Sequence, residues 1–304
     1  MVENIKLENT VSGEVLELSS TLTPYFILES CLWGQVQSER YEYKYINQIG
    51  VQITNTTLET RDVTITGWII AFDKADMTAR KRILNRFVNP LQPIRLYYKN
   101  SYIEFVPENT IAYGTDRANN NEVITHFEIV GVAPDPLFKD VQATSFGTAS
   151  YQKAFMFPLI FTRENEYGGV IFGIKDEQQS VLFNVHNSGD VEVGMKIRFR
   201  SLQGEVQNPV ITNVNNQTYV KINKTLAKDE VVIIDTNTGY KSITGKTIKQ
   251  DEYQNYFQYR DINSAWLQLA VGDNILIYGS DTNTENLEVI IEFNNSYLEV
   301  EEWD

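Results

Sequence analysis

The chain has 304 residues, 42% of them hydrophobic and 22% charged, and this composition is typical of a globular protein. Its length is enough for two domains of about 100 to 200 residues each. Because 40 Asp and Glu residues outnumber 26 Lys and Arg residues, the formal net charge is -14. Such a charge repels phosphate backbones, which excludes duplex nucleic-acid binding driven by counterion release.

The single cysteine, Cys31, excludes an intramolecular disulfide and every motif built from paired cysteines. We expect it to be a small buried apolar residue rather than a reactive thiol. Residues 1–6 lack the basic and apolar regions of a signal peptide, and no apolar run approaches the ~18 residues that span a bilayer. The sequence therefore predicts no membrane insertion and a soluble, cytosol-like setting.

Alternating apolar and polar residues dominate the first half of the chain. Tyr41, Tyr43 and Tyr45 share one face of an extended segment, with Glu42 and Lys44 on the other. The same period of two recurs at residues 63–66, 94–98, 103–105 and 123–130, and residues 99–101 are typical of a turn. This pattern predicts half-buried antiparallel strands.

One segment has the period of a helix. Between residues 76 and 89 the apolar positions follow helical spacing, Asp76 is a suitable N-terminal cap, and Pro90 ends the segment. These apolar positions are Met77, Ile83, Leu84, Phe87 and Val88. We predict an α-helix at residues 76–89.

The remaining positions of this helix carry a basic cluster in an otherwise acidic chain: Arg80, Lys81, Arg82 and Arg86. The ordinary interpretation is a solvated helix face. The functional interpretation is a surface that pairs with carboxylates of a neighbouring subunit. Arg80, Arg82 and Arg86 are therefore candidates for a subunit interface.

A domain boundary is predicted near residue 140. Pro134-Asp135-Pro136 interrupts any strand ladder, and residues 142–150 are small and polar, as in a linker. Beyond it, alternating segments occur at residues 155–161, 181–185, 195–199, 210–214, 231–234, 275–278 and 287–293, separated by turn residues. Such spacing predicts a β-sandwich or barrel, so the predicted domains are residues 1–140 and 141–304.

No catalytic or metal-binding constellation is present in the sequence. The two histidines, His126 and His186, lie in separate predicted domains without a second ligand at metal-binding spacing. Nucleophile-elbow, phosphate-loop and zinc-protease motifs are absent. Paired carboxylates for glycoside hydrolysis stay open because their separation in space is not visible in a sequence. The sequence predicts a non-enzymatic protein without a cofactor or metal.

An aromatic run marks the second half. Tyr253, Tyr256, Tyr259 and Trp266 are candidates for stacking against a sugar ring, and Phe257 lies among them. Aromatic residues also fill sandwich cores and subunit contacts, which is the favoured interpretation.

Several stretches resemble phage distal tail proteins. RDVTITGW at residues 61–68, the helix ending LNRF at 84–87, the strands within 97–105 and FEIVGVAPDP at 127–136 resemble the amino-terminal domain of that family. NSGDVEVG at 187–194, NPVITN at 208–213, VVIIDT at 231–236 and VGDN at 271–274 resemble its carboxy-terminal sandwich.

This resemblance implies a mainly β, two-domain fold. The first domain would be an antiparallel β domain with one α-helix, and the second a β-sandwich like those of galectins and carbohydrate-binding modules. It also implies a structural virion protein at the distal end of the tail, made in the bacterial host cytoplasm. Related hubs occur in phage-tail-like bacteriocins.

The implied assembly is a homo-hexameric ring formed by the amino-terminal domains. The ring would join the tail tube protein to the tail-tip or baseplate proteins, DNA would pass through it without sequence-specific binding, and the second domains would anchor receptor-binding proteins. Residues 64–70 carry apolar or aromatic side chains on both faces, so Trp68 is a further interface candidate. The alternative is a carbohydrate- or receptor-binding module of a surface-recognition protein.

Overall fold

The computed structural model describes residues 4–21, 25–147 and 181–300. The chain forms two compact units. Unit 1 contains the described residues up to Gln142 together with those from Ser296 onward, and unit 2 is Ala143–Asn295. The boundary predicted at residue 140 is close to this one, but the predicted second domain included the C-terminal residues that the structure places in unit 1.

Unit 1 is built mainly from strands. They are β1 (Asn4–Asn9), β2 (Val15–Ser19), β3 (Phe26–Trp33), β4 (Ser38–Tyr43), β5 (Gln52–Leu58), β6 (Arg61–Ile70), β7 (Ile94–Tyr98), β8 (Ser101–Pro107), β9 (Ala112–Tyr113), β10 (Ile124–Ala133) and β11 (Phe138–Asp140), with the helix α1 (Lys74–Phe87) after β6. The main sheet has the order β11-β8-β7-β1-β2-β3-β6-β10-β9. An additional pairing of β8 with β10 closes part of this sheet on itself.

The core of unit 1 follows from the alternation in its strands. In β6, Val63, Ile65 and Ile69 are fully buried while the residues between them are half-buried. Gly67 takes the remaining inward position because the Phe127 ring of β10 packs against its backbone, and a Cβ there would lie 2.6 Å from that ring. The long β6–β10 pair thus forms one wall of the core.

Two expectations for unit 1 need correction. The helix runs from Lys74 to Phe87 rather than over 76–89, because the Asp73 carboxylate, and not that of Asp76, accepts the capping hydrogen bond, from the Asp76 N–H at 2.8 Å. The sheet is also not wholly antiparallel. β2 and β3 pair in parallel through Ser19 and Ile27.

The hairpin β4–β5 differs from the other strands. It forms a separate two-stranded sheet, and every residue of both strands is exposed. The prediction that the alternating tyrosines belong to a half-buried strand is therefore wrong for this single chain, because no other described element covers either face of the hairpin. We refer to residues 38–58 as the arm.

Unit 2 contains β12 (Thr144–Gly147), β13 (Val181–Asn187), β14 (Lys196–Ser201), β15 (Val206–Gln207), β16 (Val210–Asn213), β17 (Thr218–Lys221), β18 (Thr225–Leu226), β19 (Val231–Asp235), β20 (Ser242–Lys246), β21 (Gln254–Asn255), β22 (Gly272–Gly279) and β23 (Leu287–Phe293). One sheet has the order β12-β23-β14-β19-β20-β21, and a second has the order β13-β22-β16-β17. Side chains of both sheets share one core, among them Phe199 and Ile291 from the first and Ile211 and Tyr278 from the second. The predicted sandwich is confirmed.

The predicted linker at 142–150 contains strand β12. Thr144 to Gly147 pair with β23, and the Phe146 ring stacks on Phe293 at 6.3 Å. The sequence pattern did not predict this strand, because among its four residues Phe146 is the one side chain that packs on the core cluster. The strand predicted at 155–161 lies outside the described residues, as do residues 148–150 of the predicted linker.

The C-terminal segment completes unit 1. Strand β24 (Ser296–Tyr297) pairs with β11 at the edge of the main sheet. The side chain of Arg61 is fully buried, donates a hydrogen bond to the Leu298 carbonyl and lies 3.8 Å from the Glu299 carboxylate. Its guanidinium is also 5.0 Å from the Phe138 ring centroid. These contacts explain why the residues from Ser296 belong to unit 1.

Candidate interaction surfaces

Helix α1 has a buried face and an exposed face. Met77, Leu84 and Phe87 are buried in the core of unit 1. Arg82, Ile83 and Arg86 are exposed, and their spacing of three and four residues places them on one side of the helix. Ile83 is one of the apolar positions that follow the helical spacing, yet its side chain is 50% exposed. The exposed α1 face, formed by these three residues, is therefore both basic and apolar.

The three predicted arginines have different environments. Arg80 is mostly buried, pairs with Asp76 at 2.9 Å, and lies 3.4 Å from the Tyr25 ring centroid. The Asp76 carboxylate accepts hydrogen bonds from the Phe72 N–H and from Arg80, and these bonds hold the pKa of Asp76 below its ordinary value. Arg80 thus stabilises unit 1 itself, so its candidacy for a subunit interface is weaker than that of the other two.

Arg86 and Arg82 are available on the surface. Arg86 is 69% exposed and pairs with Glu14 at 2.5 Å. Arg82 is exposed and forms no ion pair with any residue in the described ranges. Exposed pairs contribute little stability, about 0–1 kcal/mol, so Arg86 can exchange its partner at small cost.

Trp68 lies on the outer side of β6. Its ring is half-buried and packs edge-to-face on His126 at 4.9 Å, while His126 Nε2 is 2.9 Å from Glu29 Oε2. His126 is thus a partly exposed residue whose imidazole contacts a carboxylate. Trp68 stays a predicted interface residue.

Among the described residues of unit 1, the two most exposed apolar side chains lie in the arm. Ile46 and Ile49 in its connecting loop are 94% and 102% exposed. The other exposed apolar or aromatic residues of the arm are Tyr41, Tyr43, Tyr45, Val51, Ile53 and Leu58. The arm is not among the sites predicted from the sequence. The signal that marks it is an alternating aromatic strand that leads into an isoleucine-containing loop.

In unit 2, Tyr256 is a core residue. It is 8% exposed, and its hydroxyl donates a hydrogen bond to Glu230 Oε1 at 2.9 Å. Lys224 also binds Glu230, at 2.7 Å, and the ring of Tyr259 packs edge-to-face on Tyr256 at 5.3 Å. Burial and the hydrogen bond to Glu230 raise the pKa of Tyr256 to about 12. This buried position does not suit the sugar-stacking role for which Tyr256 was a candidate.

Tyr253 and Trp266 have other neighbours. Trp266 is half-buried beside Phe257, with ring centroids 6.1 Å apart, and the Arg260 guanidinium lies 5.1 Å from its ring centroid. Tyr253 is 44% exposed and lies 4.9 Å from the Lys246 ammonium group. The sugar-stacking role of these residues stays a prediction, now limited to the aromatic side chains that reach the surface.

The other potentially reactive side chains are buried or are bound to a neighbouring side chain. Cys31 is buried and burial raises its pKa to about 12, as expected for an inert thiol. His186 Nδ1 lies 2.8 Å from Asp273 Oδ1 on the surface. Within the described ranges, no three His, Cys, Asp or Glu side chains are placed to share a metal ion. The same ranges contain no helix long and apolar enough to cross a bilayer.

Two protein families match the chain. Residues 22–129 match the "Phage tail protein RIFT-related domain", and residues 188–297 match the "Siphovirus-type tail component, C-terminal domain". The first range lies in unit 1, and the second covers residues 188–295 of unit 2 together with Ser296 and Tyr297 of unit 1. Among curated proteins, none matches the chain by sequence.

Solved structures have the same fold over nearly the whole chain. The crystal structure of the Dit protein of phage SPP1 has a TM-score of 0.66 at 12% identity, covering 96% of this chain and 98% of that chain. The phage p2 baseplate in its activated conformation with Sr gives 0.54 at 9%, and the same baseplate with Ca gives 0.51 at 10%, with the same coverage.

The two β units and their order thus define a structural component of a phage tail, at the distal tail or baseplate hub. The chain belongs to the phage distal tail protein family. Members of this family are tail proteins of the virion, as the resemblance in the sequence implied.

Proposed function

We propose that this protein forms a hexameric ring through unit 1 at the distal end of the tail. The ring joins the tail tube protein to the tail-tip or baseplate proteins. DNA passes through the ring without sequence-specific contacts, and the net charge of -14 limits retention of the phosphate backbone. Host recognition is then a task of peripheral proteins that the hub holds.

This proposal rests on one observation: both phage-tail domains occur in the same chain, the RIFT-related domain first and the siphovirus-type domain second. The similar SPP1 protein is described as a paradigm of the hub of the adsorption apparatus in phages that infect Gram-positive bacteria. The large exposed apolar side chains of unit 1 agree with a subunit that buries more surface on assembly.

Unit 2 supplies the anchor for receptor-binding proteins in this proposal. One cluster of buried side chains joins both of its sheets, as in a domain that folds as one body. A separately folded unit can present surfaces such as that around Phe257 and Trp266 to a partner without disturbing the ring. The similar phage p2 structures are of baseplates, which is where such partners would be attached.

The test is native mass spectrometry of the full-length protein over a wide concentration range, with electron micrographs of the same samples. A discrete hexamer that appears as a six-fold ring is the expected result. A protein that stays monomeric at every concentration, or that forms only dimers, contradicts a self-assembling hexameric hub.

A further inference from the structure

The arm has the properties of a segment that is covered in an assembly. Within the described part of the chain, β4 and β5 pair only with each other, and nearly all of residues 37–60 are exposed. An isolated two-stranded hairpin is marginally stable in water unless a face is packed. Exposed apolar clusters of this kind mark interaction sites.

The tip of the arm is shaped by its own hydrogen bonds. The Gln48 side chain accepts the Tyr45 N–H at 3.0 Å, and the Gln48 N–H donates to the Tyr45 carbonyl at 3.2 Å. Asn47 and Gly50 have the positive φ values of 65° and 82° that this turn requires. Ile46 and Ile49 are thus presented to solvent by a turn with a defined conformation, which lowers the entropic cost of docking.

The length of the arm is sufficient to reach another molecule. β5 has seven residues and spans roughly 23 Å at about 3.3 Å per residue. A compact domain of about 150 residues has a radius of gyration of roughly 15 Å. A hairpin of this length with both faces exposed can therefore extend beyond the body of unit 1.

The charges on the arm complement the exposed α1 face. Glu39, Glu42 and Glu59, on the arm and at its base, form no ion pair with any described residue. On α1, the exposed Ile83 follows Arg82 directly and precedes Arg86 by about one turn, so an apolar side chain shares the exposed face with two arginines. The arm thus presents exposed isoleucines and carboxylates that form no ion pair, and the exposed α1 face presents an isoleucine and two arginines, which gives the two surfaces complementary groups.

The cations of the arm also have counterparts beside α1. Arg40 and Lys44 are exposed on the arm. Glu14 pairs with Arg86 at the C-terminal end of the helix, and Asp73 lies at its N-terminus. The α1 region therefore offers carboxylates as well as guanidinium groups, which suits an arm that carries both signs of charge.

We propose that the arm docks on the exposed α1 face of the next copy of this chain. The inference rests on the ring of the proposed function and names the contact that closes it. Arm and α1 are different surfaces of one subunit, so their contact is heterologous, and repeated heterologous contacts close into rings or extend into filaments. The apolar tip is buried beside Ile83, and Glu42, which lies near the tip end of β4, pairs with Arg82.

The first experiment compares the full-length protein with the double variant Ile46→Lys, Ile49→Lys by native mass spectrometry. We expect the concentration at half-assembly to rise by on the order of tenfold or more, as for central apolar contacts of an interface. A matched control is Ile248→Lys, Ile262→Lys, which places two lysines at 74% and 88% exposed isoleucines of unit 2. Circular dichroism checks that all variants are folded.

The second experiment tests α1 as the acceptor by charge exchange. Glu42→Arg and Arg82→Glu should each weaken assembly, more strongly at low salt, and the double variant should recover it. Loss of assembly in the isoleucine variant without this recovery contradicts α1 as the acceptor.

The outcomes separate this contact from the ring itself. A wild-type hexamer that is unaffected by Ile46→Lys, Ile49→Lys contradicts the arm contact and leaves the ring standing. A variant that keeps the ring but loses a different tail protein shows that another protein covers the arm, which also contradicts the proposal. Monomeric wild-type protein at every concentration removes both the ring and the contact.

Discussion

The Tyr256 hydroxyl donates a hydrogen bond to Glu230 Oε1 at 2.9 Å inside unit 2. Glu230 is 1% exposed, and its other oxygen accepts the Ala227 N–H at 2.9 Å. A buried carboxylate is costly unless its lone pairs are occupied, and Lys224, Tyr256 and Ala227 together occupy them. This network attaches the segment around residue 256 to the loop before β19.

We predict that Tyr256→Phe lowers the free energy of unfolding of unit 2 by about 1–2 kcal/mol, because it removes one donor from a buried acceptor. Urea unfolding of the full-length protein measures the change. The matched control is Tyr253→Phe, whose ring is 44% exposed, and it should leave the stability unaltered. Equal effects of the two variants would contradict the role of the Glu230 hydrogen bond.

Alkaline pH should act through the same residue. The pKa of Tyr256 is raised from 10.0 to about 12, so the neutral hydroxyl is favoured in the folded state. The corresponding stability is fully present below pH 10 and is lost as the pH rises to about 12, because the unfolded chain then binds fewer protons. The wild type should therefore lose more stability over this pH range than Tyr256→Phe. Urea midpoints measured along a pH series give the comparison, and parallel curves would contradict it.

The tyrosines show how far a sequence can predict this fold. Alternation at residues 94–98 correctly predicted β7, because its inward residues Ile94 and Leu96 are buried by the chain's own core. The same alternation at Tyr41 and Tyr43 predicted a half-buried strand that is exposed in the single chain. Periodicity indicates that one face of a strand is suited to burial. It does not indicate which element covers that face, because the covering element comes from a distant part of the chain or from another molecule.

Arg80 and Arg82 should respond differently to charge reversal although they are two residues apart. Arg80→Glu breaks the pair with Asp76 and the contact with Tyr25, so we expect the melting temperature of unit 1 to fall by about 5 °C or more. Arg82→Glu changes an exposed side chain and should leave that temperature nearly unaltered while it weakens ring assembly. Calorimetry and native mass spectrometry on both variants distinguish the two effects. The assignment fails if Arg82→Glu destabilises the monomer as much as Arg80→Glu does.

The C-terminal segment could not be predicted from sequence because β24 has two residues and carries no period. Its position is determined by long-range contacts, including the bond from Trp33 Nε1 to Glu299 Oε1 at 2.5 Å. The basic cluster on α1 was visible in the sequence, whereas the internal pairing of Arg80 was not. A helical period assigns residues to faces but does not give the partners that other segments bring to those faces.

Removal of residues 296–304 should destabilise unit 1. Arg61 would lose the Leu298 carbonyl and the Glu299 carboxylate as partners, and a buried charge left without its partner costs about 3 kcal/mol or more. Introducing Arg61→Met in the shortened chain should recover part of the loss, because it removes the charge and keeps an apolar stem beside Phe138. Glu299→Ala in the full chain is the control, with an effect of at most about 1 kcal/mol, because that carboxylate is exposed. Chemical unfolding of the three variants provides the values, and an unaltered shortened chain would show that Arg61 does not depend on this segment.

Cys31 should be nearly inert in the folded protein. Burial raises its pKa from 9.0 to about 12, so at neutral pH the reactive thiolate is about 1,000-fold rarer than in an unfolded chain. We therefore expect a thiol reagent to label the native protein at least that much more slowly than the protein in denaturant. The neighbouring Leu32 is 63% exposed on the opposite side of β3, so Leu32→Cys combined with Cys31→Ala provides a control thiol in the same strand that should react rapidly. Because the folded pKa is raised, the labelling rate of native Cys31 should keep increasing with pH toward 12, whereas that of the control should level off earlier. Rapid labelling of native Cys31 at neutral pH would mean that β3 opens far more readily than its place between β2 and β6 implies.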